Sequence, residues 1–146
     1  MAQSQHLILA SASPRRLELL QQVGLEPERL LPADIDEAQH GSEHPRSLAK
    51  RLSQGKAEAA VAVLERLQER AGRFVLAADT VVCVGRQVMP KAELIEDAHA
   101  NLRILSGRTH RVYTGVCVIG PSGRLRQRLV ETRVRFKRLT RQDMDQ

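Results

Sequence analysis

The sequence predicts an α/β fold, with a mixed, twisted sheet, flanking helices and a central cleft. Three observations predict it. The apolar run at 74–84 has the length and β-branched content of a buried strand. The segment 45–70 carries apolar residues at helical spacing. Two further strand-like runs, 110–119 and 124–137, are separated by a Gly-Pro-Ser-Gly turn. At 146 residues the chain suits one domain with a substantial core.

The N-terminal half begins with a strand, a turn and a helix. The apolar run 6–10 predicts the strand, and 14–23 predicts the helix, with Gly24 as its C-cap. An extended segment is expected at 29–37. The first helix should turn Leu17, Leu20 and Val23 to one side. The helix at 45–70 should present one apolar face, formed by Leu48, Leu52, Ala59, Val63 and Leu67.

The C-terminal half is predicted to be mainly strands. A turn at 85–86 leads to a short return strand at 87–89, and a short helix is expected at 93–105 with Gly107 as its stop. Cys83 and Cys117 lie in apolar, strand-like runs. We expect two buried free thiols rather than a disulfide, because no secretory context supports a bridge.

The charge is uneven along the chain. The net charge is +6, and ten Arg or Lys residues but one acid lie between Arg103 and Arg138. Such a stripe can bind nucleic acid or polyphosphate, or it can be the solvated face of a β-ribbon. With no Trp, one Tyr and two Phe, the chain has few stacking platforms for nucleic acid. The sequence has no 18-residue apolar run and no leader pattern, so we expect a cytoplasmic protein without a membrane span.

Residues 9–20 predict a phosphate site. Small hydroxyl residues, Ser11 among them, end the first strand; Ser13 can cap the following helix, and Pro14 suits its first position. Free backbone N–H groups and the helix dipole attract anions there. Arg15 and Arg16 add forked donors that match phosphate oxygens. An ordinary capped helix with solvated arginines is the alternative.

Two charged residues stand out in apolar surroundings. Asp79 interrupts the buried strand, where a carboxylate is costly unless it is paired, hydrogen-bonded or bound to metal. The alternative is that it caps a turn at a strand end. Lys56 falls within the apolar stripe of the long helix, where a bound phosphate would explain it and snorkelling is the alternative. Gly55 beside it should weaken the helix by about 1 kcal/mol.

An acidic pair, Asp36 and Glu37, ends the extended segment. Taken alone, such acids are usually solvated, but together with Asp79 they offer hard oxygens that suit Mg²⁺. The histidines and cysteines show no zinc-ligand spacing. No GxxxxGK[ST] pattern occurs, so P-loop chemistry is not supported.

Four stretches in order resemble the Maf family of nucleotide pyrophosphatases, first named for septum formation. They lie at 9–20, 36–37, 76–82 and 105–110, and the likeness covers essentially the whole chain. The resemblance implies a fold similar to the inosine triphosphate pyrophosphatase superfamily. It also implies hydrolysis of a nucleoside triphosphate to the monophosphate and pyrophosphate. Arg15 together with Thr80 resembles the branch that acts on dTTP and UTP.

The resemblance also implies the roles of individual residues. Asp79 corresponds to the catalytic base, and Glu37 with Asp79 would hold a divalent metal, for which Mg²⁺ is expected and Mn²⁺ is the alternative. The substrate-binding residues would be Ser11, Arg15, Arg16, Lys56, Thr80 and Lys91. Two positions depart from the family pattern: Ser-Gln-Gly stands before Lys56 where the family has Ala-Arg-Glu, and Ala92 replaces the proline that usually follows Lys91.

The end of the chain resembles a family member cut short. Thr140 and Asp143 have the spacing that starts a helix, but the sequence ends at Gln146. Family chains continue with a Gly-rich segment, a base-reading glutamine, and a final strand and helix. We therefore expect 1–146 to form a single Maf-like domain that lacks this part. An exposed sheet edge would favour association into a homodimer. The alternative functions are a catalytically impaired remnant and a basic nucleic-acid-binding module.

Overall fold

The structure is a computed structural model that describes residues 4–85, 87–89 and 109–135. Within these residues, six strands form one open mixed sheet and two helices pack on it, which confirms the predicted α/β class. The elements, in chain order, are β1 Ser4–Leu9, α1 Pro14–Gln22, β2 Glu26–Leu30, α2 Pro45–Arg66, β3 Phe74–Val84, β4 Gln87–Val88, β5 Thr109–Ile119 and β6 Leu125–Arg135.

The strand order is β2-β1-β3-β5-β6, with β4 paired to the end of β3. β1 runs parallel to β2 and to β3, whereas β4, β5 and β6 join by antiparallel pairing. Strand β3 occupies the predicted positions, and β5 with β6 forms the predicted hairpin around a turn in which Gly123 has φ +89°. The helix expected at 93–105 lies outside the described residues, as does Lys91.

Helix α1 begins as the sequence predicts. Ser13 caps it by accepting a hydrogen bond from the backbone N–H of Arg16 at 3.4 Å, and Pro14 takes its first position. Of the three residues predicted to share one side, Leu17 and Leu20 are half-buried, but Val23 is the C-cap residue and is 71% exposed. A residue at the cap no longer follows helical periodicity, so spacing alone does not fix the direction of its side chain.

Helix α2 is shorter than expected and ends at Arg66. The predicted face is correct in its first half, where Leu48 and Leu52 are buried. It is wrong in its second half: Ala59 and Val63 are only half-buried, and Leu67 is the C-cap residue, where helical periodicity no longer holds. The residues that the second half buries are Ala57, Ala60 and Leu64, and the expected Leu67 is 52% exposed.

The core lies between α2 and the sheet, and it is divided into two apolar clusters. One cluster contains Ile8, Ala10, Ala57, Ala60, Leu64, Val75, Ala77, Cys117 and Ile119. The other contains Leu48, Ala49, Leu52, Val81, Cys83 and Tyr113. The boundary is a layer of polar or small residues, one from each element: Ser53 on α2, Asp79 on β3 and Gly115 on β5. The apolar core is thus interrupted at Asp79.

Both cysteines are buried free thiols, as predicted. Burial raises the pKa of Cys117 to about 11. None of the helices in the part of the chain that the structure describes is long and apolar enough to cross a membrane.

Candidate active site

The candidate site lies at the carboxyl end of β1. The chain leaves β1 for β2 on one side and returns to β3 on the other, so the gap between β1 and β3 is a topological switch point, the usual ligand site of such sheets. The last pair of the two strands joins Leu9 to Leu76, and β3 continues beyond the end of β1, paired with β5 on its other edge. A cleft of about 270 Å³ opens here, lined in part by Ser11, Ser13, Arg16, Asp34, Glu37 and Lys56.

Lys56 joins two carboxylates from different elements. Its Nζ donates a hydrogen bond to Oδ1 of Asp79 at 2.7 Å and forms an ion pair with Oε1 of Glu37 at 2.9 Å. The Asp79 side chain is 4% exposed and that of Lys56 is 13% exposed, whereas the Glu37 side chain is 41% exposed. The interpretation of Asp79 as a cap at a strand end is therefore wrong, because Asp79 lies in mid-strand and is paired.

Two opposing effects act on the Lys56 ammonium. Burial lowers its pKa, but the hydrogen bonds to Asp79 and Glu37 outweigh burial, so the net pKa is raised above the usual lysine value. The pKa of Lys56 in the unfolded chain is about 10.4. Because its pKa in the folded protein is higher, the pairing contributes its full stabilisation below a pH of about 10.4, and this stabilisation is lost as pH rises through the folded-state pKa. The Lys56 ammonium is therefore charged throughout the neutral range.

Gly115 allows α2 to approach the strand layer beside Asp79. It is the cross-strand partner of Asp79, and a Cβ built on it would lie 2.4 Å from the Ala49 carbonyl oxygen and 2.8 Å from Ser53 Oγ. Only glycine leaves room for this approach. Lys56, about one turn beyond Ser53, is thereby brought within reach of Asp79.

The opposite face of β3 carries a second polar group. Neighbouring residues of a strand point to opposite faces, so Asp79 faces α2 and Thr80 faces α1. Arg16 Nη2 donates to Thr80 Oγ1 at 3.4 Å, and Thr80 Oγ1 lies 3.2 Å from Thr114 Oγ1 on β5. The part of β3 that extends beyond β1 thus offers a carboxylate on one face and a hydroxyl pair on the other.

The N-terminus of α1 forms the remaining wall of the cleft. Ser11 is buried, and its Oγ accepts a hydrogen bond from the backbone N–H of Ser13 at 3.0 Å. The Arg16 side chain lines the cleft, and the helix dipole adds partial positive charge at this end. Arg15 is exposed on the first turn and is not among the described residues that line the cleft.

Glu37 and Asp79 fit a divalent metal as part of its ligand set. Both carboxylates already contact one cationic atom, Lys56 Nζ, so their oxygens converge from two elements on a common point. Within 4–85, 87–89 and 109–135 no group of three or more His, Cys, Asp or Glu residues is arranged to hold a metal. Two carboxylates with further ligands from water and phosphate are the arrangement that Mg²⁺ uses in nucleotide enzymes.

The structure brings most of the predicted site residues together. Those that line the cleft or contact a lining residue are Ser11, Arg16, Glu37, Lys56, Asp79 and Thr80. Sequence reasoning placed Lys56 on a phosphate, whereas its ammonium here contacts carboxylates. It missed Thr114, whose place opposite Thr80 depends on strand register, and Gly115, whose role depends on how closely α2 packs.

The comparisons with known proteins agree with this geometry. The family model described as Maf-like protein matches residues 6–146. The chain belongs to the Maf family. A dTTP/UTP pyrophosphatase of Mesorhizobium japonicum is 64% identical to this Maf chain over 141 residues, which are 97% of the chain and 68% of the relative. A dTTP/UTP pyrophosphatase of Rhizobium meliloti is 55% identical over 145 residues, or 99% of the chain and 70% of the relative.

Solved structures similar to this Maf chain show the same fold. The Staphylococcus aureus Ham1 protein superposes with a TM-score of 0.58 at 14% identity, covering 87% of the chain and 69% of that protein. A HAM1 protein from Coxiella burnetii gives a TM-score of 0.51 at 16% identity, covering 86% and 70%. The Maf chain thus shares its fold with the Ham1 proteins, and a fold of this kind is what the family resemblance in the sequence implied.

Proposed function

We propose that this chain hydrolyses nucleoside triphosphates to the monophosphate and pyrophosphate, with dTTP and UTP as its substrates. The observation that carries the proposal is the cluster of Lys56 with Asp79 and Glu37, placed beside Arg16 in the cleft at the sheet's switch point. The base preference is supported by relatives named dTTP/UTP pyrophosphatases that share more than half of their aligned residues with it.

The cleft wall binds the triphosphate in this proposal. Arg16 and the N–H groups at the start of α1 face the phosphates, where a forked guanidinium and a helix dipole both favour anions. The Ser11 hydroxyl keeps its hydrogen available for donation, since it accepts from Ser13. Substrate binding by Arg15, which lies outside the cleft lining, and by Lys91, which lies outside the described residues, stays a prediction.

Asp79 orients and deprotonates the attacking water. Its side chain is almost fully buried and hydrogen-bonded to Lys56, so it is held in one position. Water reaches its oxygens once the Lys56 ammonium turns toward the phosphates, which then compete with the carboxylates for it. Such a site accelerates hydrolysis by positioning the reactants and by stabilising charge.

Mg²⁺ is the proposed cofactor, and Glu37 with Asp79 are its protein ligands. The ion, when bound, supplies charge neutralisation for the polyphosphate. The chain's own contribution is to hold two carboxylates from different elements close together before the ion arrives. We also propose a cytoplasmic location, where free thiols such as Cys83 and Cys117 persist. Homodimer formation stays a prediction, which light scattering can test.

The nucleic-acid-binding alternative is not favoured. The relatives are named as nucleotide pyrophosphatases, and the core of the structure is interrupted by a buried, paired carboxylate that a binding module does not need. Two arginines, Arg111 from the basic stretch and Arg46 on α2, form ion pairs with Glu131 on β6, at 3.5 and 3.1 Å, so part of the positive charge is used within the fold.

The test is an Asp79→Asn variant in a pyrophosphate-release assay with dTTP and Mg²⁺. We expect turnover to fall by about a hundredfold or more, because the variant cannot accept the proton from water. Glu58→Gln removes one carboxylate from the exposed surface of α2 and is the matched control, with turnover unchanged. Turnover in Asp79→Asn equal to that of the wild type would remove Asp79 from the mechanism.

A further inference from the structure

Glu37 lies in a long irregular segment, and something must hold it in place. Residues 31–44, here called the acidic loop, contain no helix or strand between β2 and α2. Loops of this length inside compact domains are uncommon and are usually functional. The Glu37 side chain is 41% exposed, so packing around it does little to fix its position. The ion pair with Lys56 holds the carboxylate itself, and the contacts of the acidic loop hold the backbone that carries it.

Arg51 on α2 makes those contacts. Its Nε and Nη2 donate to the two carboxylate oxygens of Glu43 at 3.0 and 3.1 Å, which is the strong bidentate arrangement. The same Nη2 donates to the carbonyl oxygen of Ala38 at 2.9 Å. One guanidinium thus ties the middle of the acidic loop and its end to the same turn of α2.

The peptide next to Glu37 is held on both sides. The Ala38 carbonyl accepts from Arg51, and the Ala38 N–H donates to Oδ1 of Asp36 at 2.9 Å. Glu43 also accepts from the backbone N–H of His40 at 3.2 Å, which closes the turn between the two tied points. The hydrogen bond from Arg51 lowers the pKa of Glu43, so the pair stays ionised at neutral pH.

From these contacts we propose that Arg51 is a positioning residue for Glu37: it clamps the acidic loop so that the Glu37 carboxylate is presented to Lys56 and to the bound cation. The proposal rests on the proposed function, because it assigns Glu37 its place in that site. Arg51 does not line the cleft, and it acts through the backbone of Ala38. Holding the loop before the ligand arrives removes the cost of ordering it on binding.

Hydrogen exchange tests the clamp without reference to activity. In Arg51→Gln, the backbone amides of residues 38–43 should exchange about tenfold faster than in the wild type, because charge-assisted hydrogen bonds are lost. Lys50→Gln removes the same charge from the neighbouring, exposed position of α2 and should leave this exchange unchanged. Glu43→Gln breaks the same pair from the other side and should reproduce the Arg51→Gln pattern. Unchanged exchange in both clamp variants would overturn the proposal.

Kinetics then test whether the clamp acts through Glu37. The Mg²⁺ concentration that half-saturates dTTP hydrolysis should rise about tenfold in Arg51→Gln and in Glu37→Gln, with little loss of kcat at saturating Mg²⁺. The double variant should behave as Glu37→Gln alone, since Arg51 would have nothing left to position. Arg51→Lys keeps the charge without the fork, so it should rescue only part of the effect.

The outcomes separate the two proposals. Additive effects of Arg51→Gln and Glu37→Gln on the Mg²⁺ requirement would overturn the positioning role even if the enzyme is active. A wild-type chain that releases no pyrophosphate would instead overturn the proposed function, and the exchange experiment would still decide whether Arg51 holds the loop.

Discussion

Gly115→Ala is the substitution whose effect follows most directly from the packing of α2 on the sheet. The added Cβ would lie 2.4 Å from the Ala49 carbonyl oxygen, a backbone atom that cannot rotate away. Helix α2 must therefore retreat by roughly 0.6 to 1 Å before the contact becomes tolerable. Overpacking of this kind costs about 2 kcal/mol, which corresponds to a melting temperature lower by about 4–8 °C for a chain of this size.

The same retreat should weaken the site. Lys56 is carried on α2, and its 2.7 Å hydrogen bond to Asp79 would lengthen to roughly 3.3–3.7 Å, where a hydrogen bond is weak or lost. Misplacement by about 1 Å can cost a hundredfold in rate, so we expect turnover to fall more than stability alone explains.

Thermal denaturation and pyrophosphate release are measured on Gly115→Ala beside Gly120→Ala. At Gly120 the nearest atom to an added Cβ is Phe74 Cε1 at 3.5 Å, an ordinary contact, so this control should melt and turn over as the wild type does. A Gly115→Ala protein with wild-type melting temperature and turnover would refute the account of how α2 positions Lys56.

Three further predictions concern single side chains. Lys56→Met leaves the buried Asp79 carboxylate without its ammonium, so it should lower the free energy of unfolding in urea by about 3 kcal/mol at pH 7. Adding Asp79→Asn should restore part of that loss, and full additivity of the two changes would contradict the pairing. Gly55→Ala should raise the free energy of unfolding by about 0.5–1 kcal/mol, because alanine has the higher helix propensity. The new Cβ would meet only the flexible end of the Ile35 side chain, at 3.1 Å. A lower melting temperature than that of the wild type would show that this contact cannot relax. Cys117, with its pKa raised to about 11, should resist alkylation at pH 8 in the native protein and react in denaturant, whereas rapid native labelling would show that it is not buried.

The fold was predictable where local pattern and tertiary structure agree. The bounds of β3 follow from an apolar run between polar neighbours, and the start of α1 follows from Ser13 and Pro14, whose chemistry is local. The inward face of α2 was predictable only in part, because α2 meets two separate clusters and the sequence pattern does not show where one ends.

The site shows the same division. Asp79 and Lys56 were visible as charges in apolar stretches, and the structure explains both by pairing them. Their distance could not be read from the sequence, since it depends on Gly115 and on the register of β3 with β5. Arg51 resembled any surface arginine on a helix, and its contact with Ala38 exists only once the acidic loop has folded against α2.

The central claim is that this cluster hydrolyses a nucleoside triphosphate between its α and β phosphates. The most direct measurement is ³¹P NMR of the products formed from dTTP or UTP by the chain with Mg²⁺. The account predicts equal amounts of the nucleoside monophosphate and pyrophosphate from the outset, and the loss of both signals in Asp79→Asn. Orthophosphate with the nucleoside diphosphate as the first products, or product formation that persists in Asp79→Asn, would contradict it.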